Sequence, residues 1–335
     1  MNTDHDVDLH IDRGDLDAIL RSIETICDRQ DWVELARVNN RCRRGHERGH
    51  QLWPAAMYGE YRLVLGGTPD LAAQVVVESP GVFAVGPLAE VAAHAHLWDD
   101  IEPHLPKGAA RNQVAAEAVV RGDVIASDSA ELELPGALQG WEPDYDLAEY
   151  KPDSIHAPST ALPVRRPIDE VAPGRLRTDD VAEQGLRDLV TPWLSSSEGS
   201  CVTVSVVGSA HQAIAALRRG PISAAELEPA QALRLMAWTA ASGGAQGRRR
   251  GAAAGRAIAW HAVAALAGDP AWPPHPDDIG EWLEELRWWA WDTHDEHRGW
   301  RLRLAVEDPQ HGVSWAIDAH DHERAAPQGD PSMDS

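Results

Sequence analysis

The sequence predicts an α+β protein that is mostly helical, in which a helical domain precedes a domain containing a sheet. Residues 15–126 repeat apolar side chains at three- and four-residue steps between short turn signals, which is typical of amphipathic helices. Residues 176–322 add short alternating segments, such as 201–207, that are typical of strands. Proline and acidic residues are concentrated in 127–175, which indicates a linker.

The first domain is predicted to be a set of helical hairpins. Residues 1–14 are acidic with few large apolar side chains, so we expect a disordered tail there. Short turns between short helices favour antiparallel packing, and a degenerate solenoid is the open alternative because no clean repeat of fixed period is visible. The predicted helices begin near Asp15 and Asp31 and continue over 52–65, 69–78, 87–104 and 109–125.

The second domain is predicted to contain a mixed sheet of about four strands packed by helices. Ser223 and Glu226 fit a capping box, which predicts a helix over 223–239. Residues 323–335 are predicted to be a disordered tail. The other predicted helices are 178–190, 210–218, the run that ends at 266, and 277–286, and the strands are 201–207, 288–291, 300–306 and 313–318.

Composition limits the classes of function. The chain has 53 acidic and 30 basic residues, a formal net charge of -23, so most of its surface should repel nucleic acid and anionic membranes. The N-terminal residues lack the pattern of a signal peptide, and Cys27, Cys42 and Cys201 follow no metal-ligand spacing. We therefore expect a soluble cytoplasmic protein with reduced thiols. The scarcity of lysine and phenylalanine favours a GC-rich bacterial genome.

One segment interrupts this acidity. Between Glu228 and Asp269 there is no acidic residue, and glycines recur every four residues from Gly243 to Gly255. On a helix such glycines allow close backbone approach, with the arginines paired to acids such as Glu307 and Asp308. Alternatively, glycine amides and guanidiniums form a pocket for phosphate or carboxylate, or the arginines meet an acidic partner surface. The candidate ligand-binding residues are Gly243, Gly244, Gly247, Arg248, Arg249, Arg250 and Arg256.

Motifs for catalysis are missing from the sequence. The glycine-rich segment is neither a Walker A loop nor a dinucleotide fingerprint, and no serine elbow occurs. His294, His297 and His320 are weak metal-ligand candidates, because histidines beside acids in turns are usually solvated polar surface. We predict no cofactor and no metal.

Tryptophans are dense between residues 282 and 300. Neighbouring strand residues point to opposite faces, so Trp288 and Trp289 cannot share one core. Core or interdomain packing and ligand stacking both remain open for this group.

The segment 242–266, the stretch Trp-Arg-Leu-Arg-Leu-Ala-Val-Glu-Asp-Pro at 300–309 and the stretch 313–318 together resemble a family of uncharacterised actinobacterial proteins. The resemblance covers about residues 200–320 and brings no activity, cofactor or catalytic residue with it.

These observations favour a non-enzymatic binding or scaffold protein that contacts a protein partner and holds a small anion at 242–256. The alternative is an enzyme acting on a phosphorylated or carboxylated small molecule. In that case the arginines clamp the substrate, and Glu307, Asp308 or Asp318 carries the proton. A homo-oligomer is compatible with either prediction.

Overall fold

The computed structural model describes residues 3–79, 86–218, 220–269, 271–293 and 299–322, except for the side chains of residues 3–6. The chain divides into two units by its backbone contacts. Unit 1 comprises Met1–Gln139, Asp146–Pro158 and Gly251–Ala253, and unit 2 comprises Gly140–Tyr145, Ser159–Arg250 and Ala254–Ser335. The predicted linker 127–175 is thus shared between the two units. The predicted C-terminal tail, 323–335, lies outside the described residues.

Unit 1 is the predicted helical domain. Two of its helices begin at aspartates, since Asp15 accepts from the N–H of Ala18 at 3.1 Å and Asp31 from that of Glu34 at 3.2 Å. A short antiparallel hairpin follows the helices. In chain order the elements are α1 (Thr3–Arg13), α2 (Leu16–Asp28), α3 (Trp32–Glu47), α4 (Trp53–Gly66), α5 (Pro69–Glu78), α6 (Leu88–Ala95), α7 (Trp98–Ile101), a 3-10 turn (Glu102–His104), α8 (Ala109–Val120), β1 (Glu149–Lys151) and β2 (Ser154–His156).

The predicted tail over residues 1–14 is wrong for residues 3–13, which form α1. Val7 and Ile11, four residues apart, are buried in the core of α2, α3 and α4. Two apolar side chains on one helical face are enough to dock a short helix when neighbouring helices supply the rest of the core. The acidity of the surrounding positions concealed this face.

Two apolar clusters hold unit 1 together. The first joins α1 to α4 and contains Ile19, Ile23 and Leu35, each fully buried. The second extends from α4 to α8 and the β1–β2 hairpin, and contains Val91 and Val114. Successive helices therefore share a continuous core. The solenoid alternative stays a prediction.

Unit 2 is built around one sheet of seven strands in the order β3-β6-β7-β8-β9-β5-β4. Every neighbouring pair is antiparallel. None of the described helices in either unit is long and apolar enough to span a bilayer. In chain order the elements are β3 (Arg166–Pro167), β4 (Arg175–Arg177), α9 (Asp180–Asp188), α10 (Thr191–Ser195), β5 (Ser200–Val207), α11 (Ala210–Leu217), β6 (Ile222–Leu227), α12 (Pro229–Ala241), α13 (Ala252–Ala267), α14 (Pro276–Glu285), β7 (Arg287–Thr293), β8 (Trp300–Asp308) and β9 (Val313–Asp321).

The α+β class is confirmed, but the prediction of a mixed sheet of about four strands is wrong. The edge strands β3 and β4 have only two and three residues, too few to show alternation. The predicted helix 223–239 is divided into β6 and α12, and the capping box is made by Glu228 and Gln231. Alanines at 224 and 225 favour a helix locally, yet pairing with β7 makes this segment a strand.

The two faces of the sheet are covered by different elements. Trp289 packs with Ala305 and Ala316 under α11. Trp288, its neighbour, donates from its indole N–H to the carbonyl of Leu283, in α14, at 2.9 Å. Both side chains are buried, so the prediction that they serve opposite faces is confirmed.

Candidate ligand-binding pocket

The glycine- and arginine-rich segment is mostly a loop between α12 and α13. Helix α12 ends at Ala241 and α13 begins at Ala252, so Gly243 and Gly247 are not on a helix. Of the regularly spaced glycines, only Gly255 is helical. The prediction of a glycine-faced helix is therefore wrong over residues 243–251, because glycine has low helix propensity and no packing partner overrides it there.

This loop folds tightly on itself. A Cβ on Gly247 would lie 2.1 Å from the carbonyl oxygen of Gly243, so neither position has room for a side chain. Gly244 has a φ of +72°, and a Cβ there would lie 2.3 Å from Oδ2 of Asp321. These glycines serve close backbone packing.

Asp321 and Trp193 fix the loop to the rest of unit 2. The buried carboxylate of Asp321 accepts from the N–H of Ala245 and from the hydroxyl of Ser197, each at 2.7 Å. The indole N–H of Trp193 donates to the hydroxyl of Ser242 at 3.0 Å. An internal carboxylate thus binds the amide of Ala245, which lies between the predicted residues Gly244 and Gly247.

The four predicted arginines do not share one surface. Arg248 and Arg250 are exposed and Arg249 is half-buried. Arg256 is only 3% exposed and binds Glu142 through two hydrogen bonds of 2.7 Å. Arg256 is therefore held in an internal ion pair and cannot act as part of an open clamp.

Within unit 1, residues Gly251–Ala253 meet a second internal carboxylate. The N–H of Ala253 donates to Oε1 of Glu117 at 3.1 Å. Gly251 has a φ of +99°, and a Cβ there would lie 2.2 Å from the same oxygen. Glu117 therefore binds an amide in the first turn of α13, within the segment 242–256 that was predicted to hold an anion.

Glu307 and Asp308 do not serve as the expected partners of these arginines. Glu307 accepts from the N–H of Ala210, at the start of α11, at 2.9 Å. Asp308 accepts from the N–H groups of Gln310 and His311 at 2.9 and 3.0 Å, which closes the turn between β8 and β9. Both acids have roles in local structure.

Of the three histidine candidates, His320 lies among the described residues. His294 and His297 lie outside them. His320 lies on β9 with its Nε2 3.0 Å from the hydroxyl of Ser200, and its ring lies 4.7 Å from that of His322. Burial, with a smaller effect of His322, lowers the pKa of His320. The described part of the chain has no group of three His, Cys, Asp or Glu side chains placed to hold a metal ion.

A cavity of about 310 Å³ in unit 2 brings together residues that the sequence did not group. It lies where β7 ends and β8 begins, beside α12 and the segment 159–165. Among its described lining residues are three arginines and one aspartate, in a strongly acidic protein. The lining residues are Ser159, Thr160, Leu162, Arg165, Leu235, Trp238, Trp291, Asp292, Gly299, Trp300, Arg301, Leu302 and Arg303.

The charged wall is organised around Arg303, whose side chain is buried. Its Nε donates to Asp318 at 2.9 Å, and its Nη1 donates to Asp292 at 2.6 Å and to Thr293 at 2.8 Å. Arg301 also donates to Asp292. The two aspartates therefore hold the guanidiniums in fixed positions beside the cavity.

Two more arginines complete this network. Arg165 lies with Nη2 3.4 Å from Asp292, and Arg218 donates from Nε to Asp318 at 2.5 Å. Among the described residues, four arginines thus share two aspartates.

The aromatic wall is formed by three tryptophans. The rings of Trp238 and Trp300 stack with centroids 5.1 Å apart and an interplanar angle of 25°. The guanidinium of Arg303 lies 5.1 Å above the ring of Trp291. Among the described residues, the indole nitrogens of Trp238 and Trp291 are buried without a hydrogen-bond partner.

The sequence does contain one feature that indicates this site, the spacing of two arginines. Arg301 and Arg303 are two residues apart on a strand, so both project from the same face. Their partner acids, Asp292 and Asp318, lie on the neighbouring strands β7 and β9. Only the pairing of these strands shows that the residues meet.

Unit 1 contains a second cavity, of about 330 Å³. Its wall combines Arg21 and Arg29 with Asp15 and Glu34, so the charges balance. It has no tryptophan in its lining. It therefore offers less selectivity for the charge of a ligand than the cavity in unit 2.

Fold and pocket together define a two-unit α+β protein whose antiparallel sheet carries a cationic cavity with tryptophan walls. The chain belongs to a family of unknown function, DUF6183, whose model matches residues 17–323. The match extends far beyond the expected span of about 200–320, so the helical unit is part of the family too. No curated protein and no solved structure gives a significant match to this chain.

Proposed function

We propose that this protein is a non-enzymatic binding protein that holds a small anionic ligand in the arginine- and tryptophan-lined cavity of unit 2. The observation that carries the proposal is that Arg165, Arg301 and Arg303 face one cavity, with Asp292 as the one acid among its described lining residues. Guanidiniums fixed by ion pairs bind phosphate or carboxylate oxygens with little loss of side-chain entropy.

The proposed ligand site is the cavity beside the sheet, whereas the sequence favoured residues 242–256. In the loop, the amide of Ala245 already binds Asp321, and Arg256 already binds Glu142. Among the described residues, three arginines and one acid line the cavity. This composition supports an anion site at the cavity.

The enzyme alternative is less well supported by the same residues. Asp318 was one of three acids predicted to carry the proton, with Glu307 and Asp308, and it is the one that contacts Arg303 beside the cavity. Its side chain is 1% exposed and is hydrogen-bonded to Arg303 and Arg218. A general acid or base must reach the substrate, and this carboxylate is engaged elsewhere.

The wider predictions remain part of the proposal. A cytoplasmic location is supported by three cysteines present as free thiols. An actinobacterial origin rests on composition and resemblance alone. We propose a protein partner for unit 1, and self-association of the protein, because the series of helices in unit 1 offers a surface for such contacts.

Calorimetric titration of the full chain with inorganic phosphate and with citrate tests the proposal. We expect saturable binding of at least one of these anions. Arg301→Gln should weaken it at least about tenfold, because a charge-assisted hydrogen bond contributes roughly 1.5–3 kcal/mol. Asp292 keeps Arg303 and Arg165 as partners in this variant, so the network retains its acid.

Arg250→Gln is the matched control, since it removes the same charge from an exposed position on the loop. We expect this variant to bind like the original protein. If Arg250→Gln weakens anion binding and Arg301→Gln does not, the anion binds at residues 242–256 and not in the cavity. The proposed function is overturned if neither of these anions binds and an organic phosphate such as phenyl phosphate does not bind either.

A further inference from the structure

The size of the cavity sets the size of its ligand. Its volume is about 310 Å³, whereas one water molecule takes about 30 Å³ of liquid. The space thus corresponds to roughly ten waters, at the lower end of small-molecule sites, which begin near 300 Å³. A bare inorganic anion would leave most of it unfilled, and a large ligand would not fit.

The two kinds of wall set the chemistry of the ligand. Arg165, Arg301 and Arg303 supply positive charge, while Trp238 and Trp300 present a stacked aromatic pair to the same cavity. Aromatic rings bind other rings by offset stacking, and this attraction exceeds that of an aliphatic group of equal size. A ligand that uses both walls carries an anionic group and a flat ring.

The indole N–H groups provide an independent observation. Trp238 and Trp291 line the cavity, and the nitrogens of both are buried without a hydrogen-bond partner among the described residues. A buried donor without an acceptor is unfavourable, so such groups point to a missing acceptor. An oxygen or ring nitrogen of a ligand can supply it after a small side-chain movement.

We infer that the ligand of this pocket is a small planar aromatic anion: one or two fused rings carrying a phosphate or carboxylate group. This inference rests on the proposed function. The anionic group meets Arg301 and Arg303, and the ring packs against the tryptophan wall with its acceptor atoms toward the indole nitrogens.

Calorimetric titration with three phosphates tests the inference. Phenyl phosphate has an aromatic ring, cyclohexyl phosphate has a ring of similar size without a π face, and inorganic phosphate has no ring. We expect phenyl phosphate to bind at least about fivefold more tightly than cyclohexyl phosphate, because stacking of one ring on an aromatic side chain contributes at least about 1 kcal/mol.

Trp300→Leu identifies the wall responsible, because Trp300 is half-buried and its loss leaves Trp238 and the arginines in place. This variant should lose the preference for phenyl phosphate and keep its affinity for inorganic phosphate. Arg301→Gln should weaken all three phosphates by similar factors. Thermal denaturation of each variant checks that it is folded before titration.

Equal affinity for the phenyl and cyclohexyl compounds would overturn the inference while leaving the proposed function intact. A preference that survives Trp300→Leu would also overturn it. If none of the three phosphates binds and citrate does not bind either, the proposed function itself fails.

Discussion

Arg256 and Glu142, 114 residues apart in the chain, form a fully buried ion pair with two parallel hydrogen bonds. Nε and Nη2 of the guanidinium each lie 2.7 Å from a carboxylate oxygen. The side chains of Arg256 and Glu142 are 4% and 0% exposed. Trp260 and Tyr145 donate to the same carboxylate at 3.2 and 2.6 Å. This cluster fixes the segment Gly140–Tyr145 to helix α13.

Removing one member of this pair should destabilise the protein strongly. We expect Arg256→Ala to lower the free energy of unfolding by about 3–5 kcal/mol, because the carboxylate of Glu142 is left buried without its counter-ion. Chemical denaturation measures this change. Arg250→Ala, at an exposed site, should change it by less than about 0.5 kcal/mol.

A double-mutant cycle separates the pair from its surroundings. Glu142→Ala and Arg256→Ala together should destabilise by clearly less than the sum of the single changes, since each alone leaves a buried charge. Additive effects would show that the two side chains do not interact in solution. Mild destabilisation by Arg256→Ala alone would instead favour an exposed arginine, available for a ligand.

Gly255 should tolerate no side chain. A Cβ there would lie 2.3 Å from the carbonyl oxygen of Ala237, on α12. Gly255→Ala should therefore destabilise by about 1–3 kcal/mol, although alanine has the higher helix propensity. Gly140→Ala is the control, because a Cβ at that position meets nothing within 4 Å. Equal unfolding free energies for the two variants would show that α12 and α13 pack less closely.

Periodicity was sufficient to predict several of the separate elements. Helix α5 occupies the predicted residues 69–78, and strand β5 extends the predicted 201–207 by one residue. Such segments carry their own signal in the spacing of apolar side chains. The strand β6 was lost because two alanines carry no strand pattern and depend on β7 for their conformation.

The candidate site depended on contacts between distant residues, which a single sequence does not reveal. Composition drew attention to the segment 242–256, where positive charge is dense, but internal acids already satisfy part of it. Arg301 and Arg303 are less conspicuous in the sequence. They become a site only when β7, β8 and α12 meet around one cavity. Local charge density therefore drew attention to the arginines of the loop, whereas Arg165, Arg301 and Arg303 line the cavity.

The loop between α12 and α13 should depend on Asp321. Its carboxylate accepts from Ala245 and from Ser197, so Asp321→Ala removes both contacts. We expect faster trypsin cleavage after the arginines at 248–250, because a protease needs a locally unfolded chain. Mass spectrometry of timed digests gives the cleavage sites and rates.

Asp308→Ala is the matched control for this experiment. Asp308 also accepts two backbone N–H groups, from Gln310 and His311, but it lies in a different turn. Its substitution should leave cleavage after residues 248–250 unchanged. If both aspartate variants are cleaved at the original rate, the contacts of Asp321 do not hold the loop.

The three cysteines should be unreactive at neutral pH in the folded protein. Burial raises the pKa of Cys27, Cys42 and Cys201 from 9.0 to about 11. Raising the pKa of a thiol by two units lowers its thiolate fraction at pH 8 about 100-fold, and the thiolate is the reactive form. Alkylation by iodoacetamide should therefore be slow at pH 8 and accelerate up to about pH 11.

The same shift makes the folded state less stable in alkaline solution. The thiols of the unfolded chain ionise near pH 9 while those of the folded chain stay protonated to about pH 11. Their contribution to stability is therefore complete below pH 9 and is lost as the pH rises through 11. Chemical denaturation at pH 8 and pH 10 should give a lower free energy of unfolding at pH 10. Rapid alkylation of any cysteine at pH 8, at the rate seen in guanidinium, would show that this thiol is not buried.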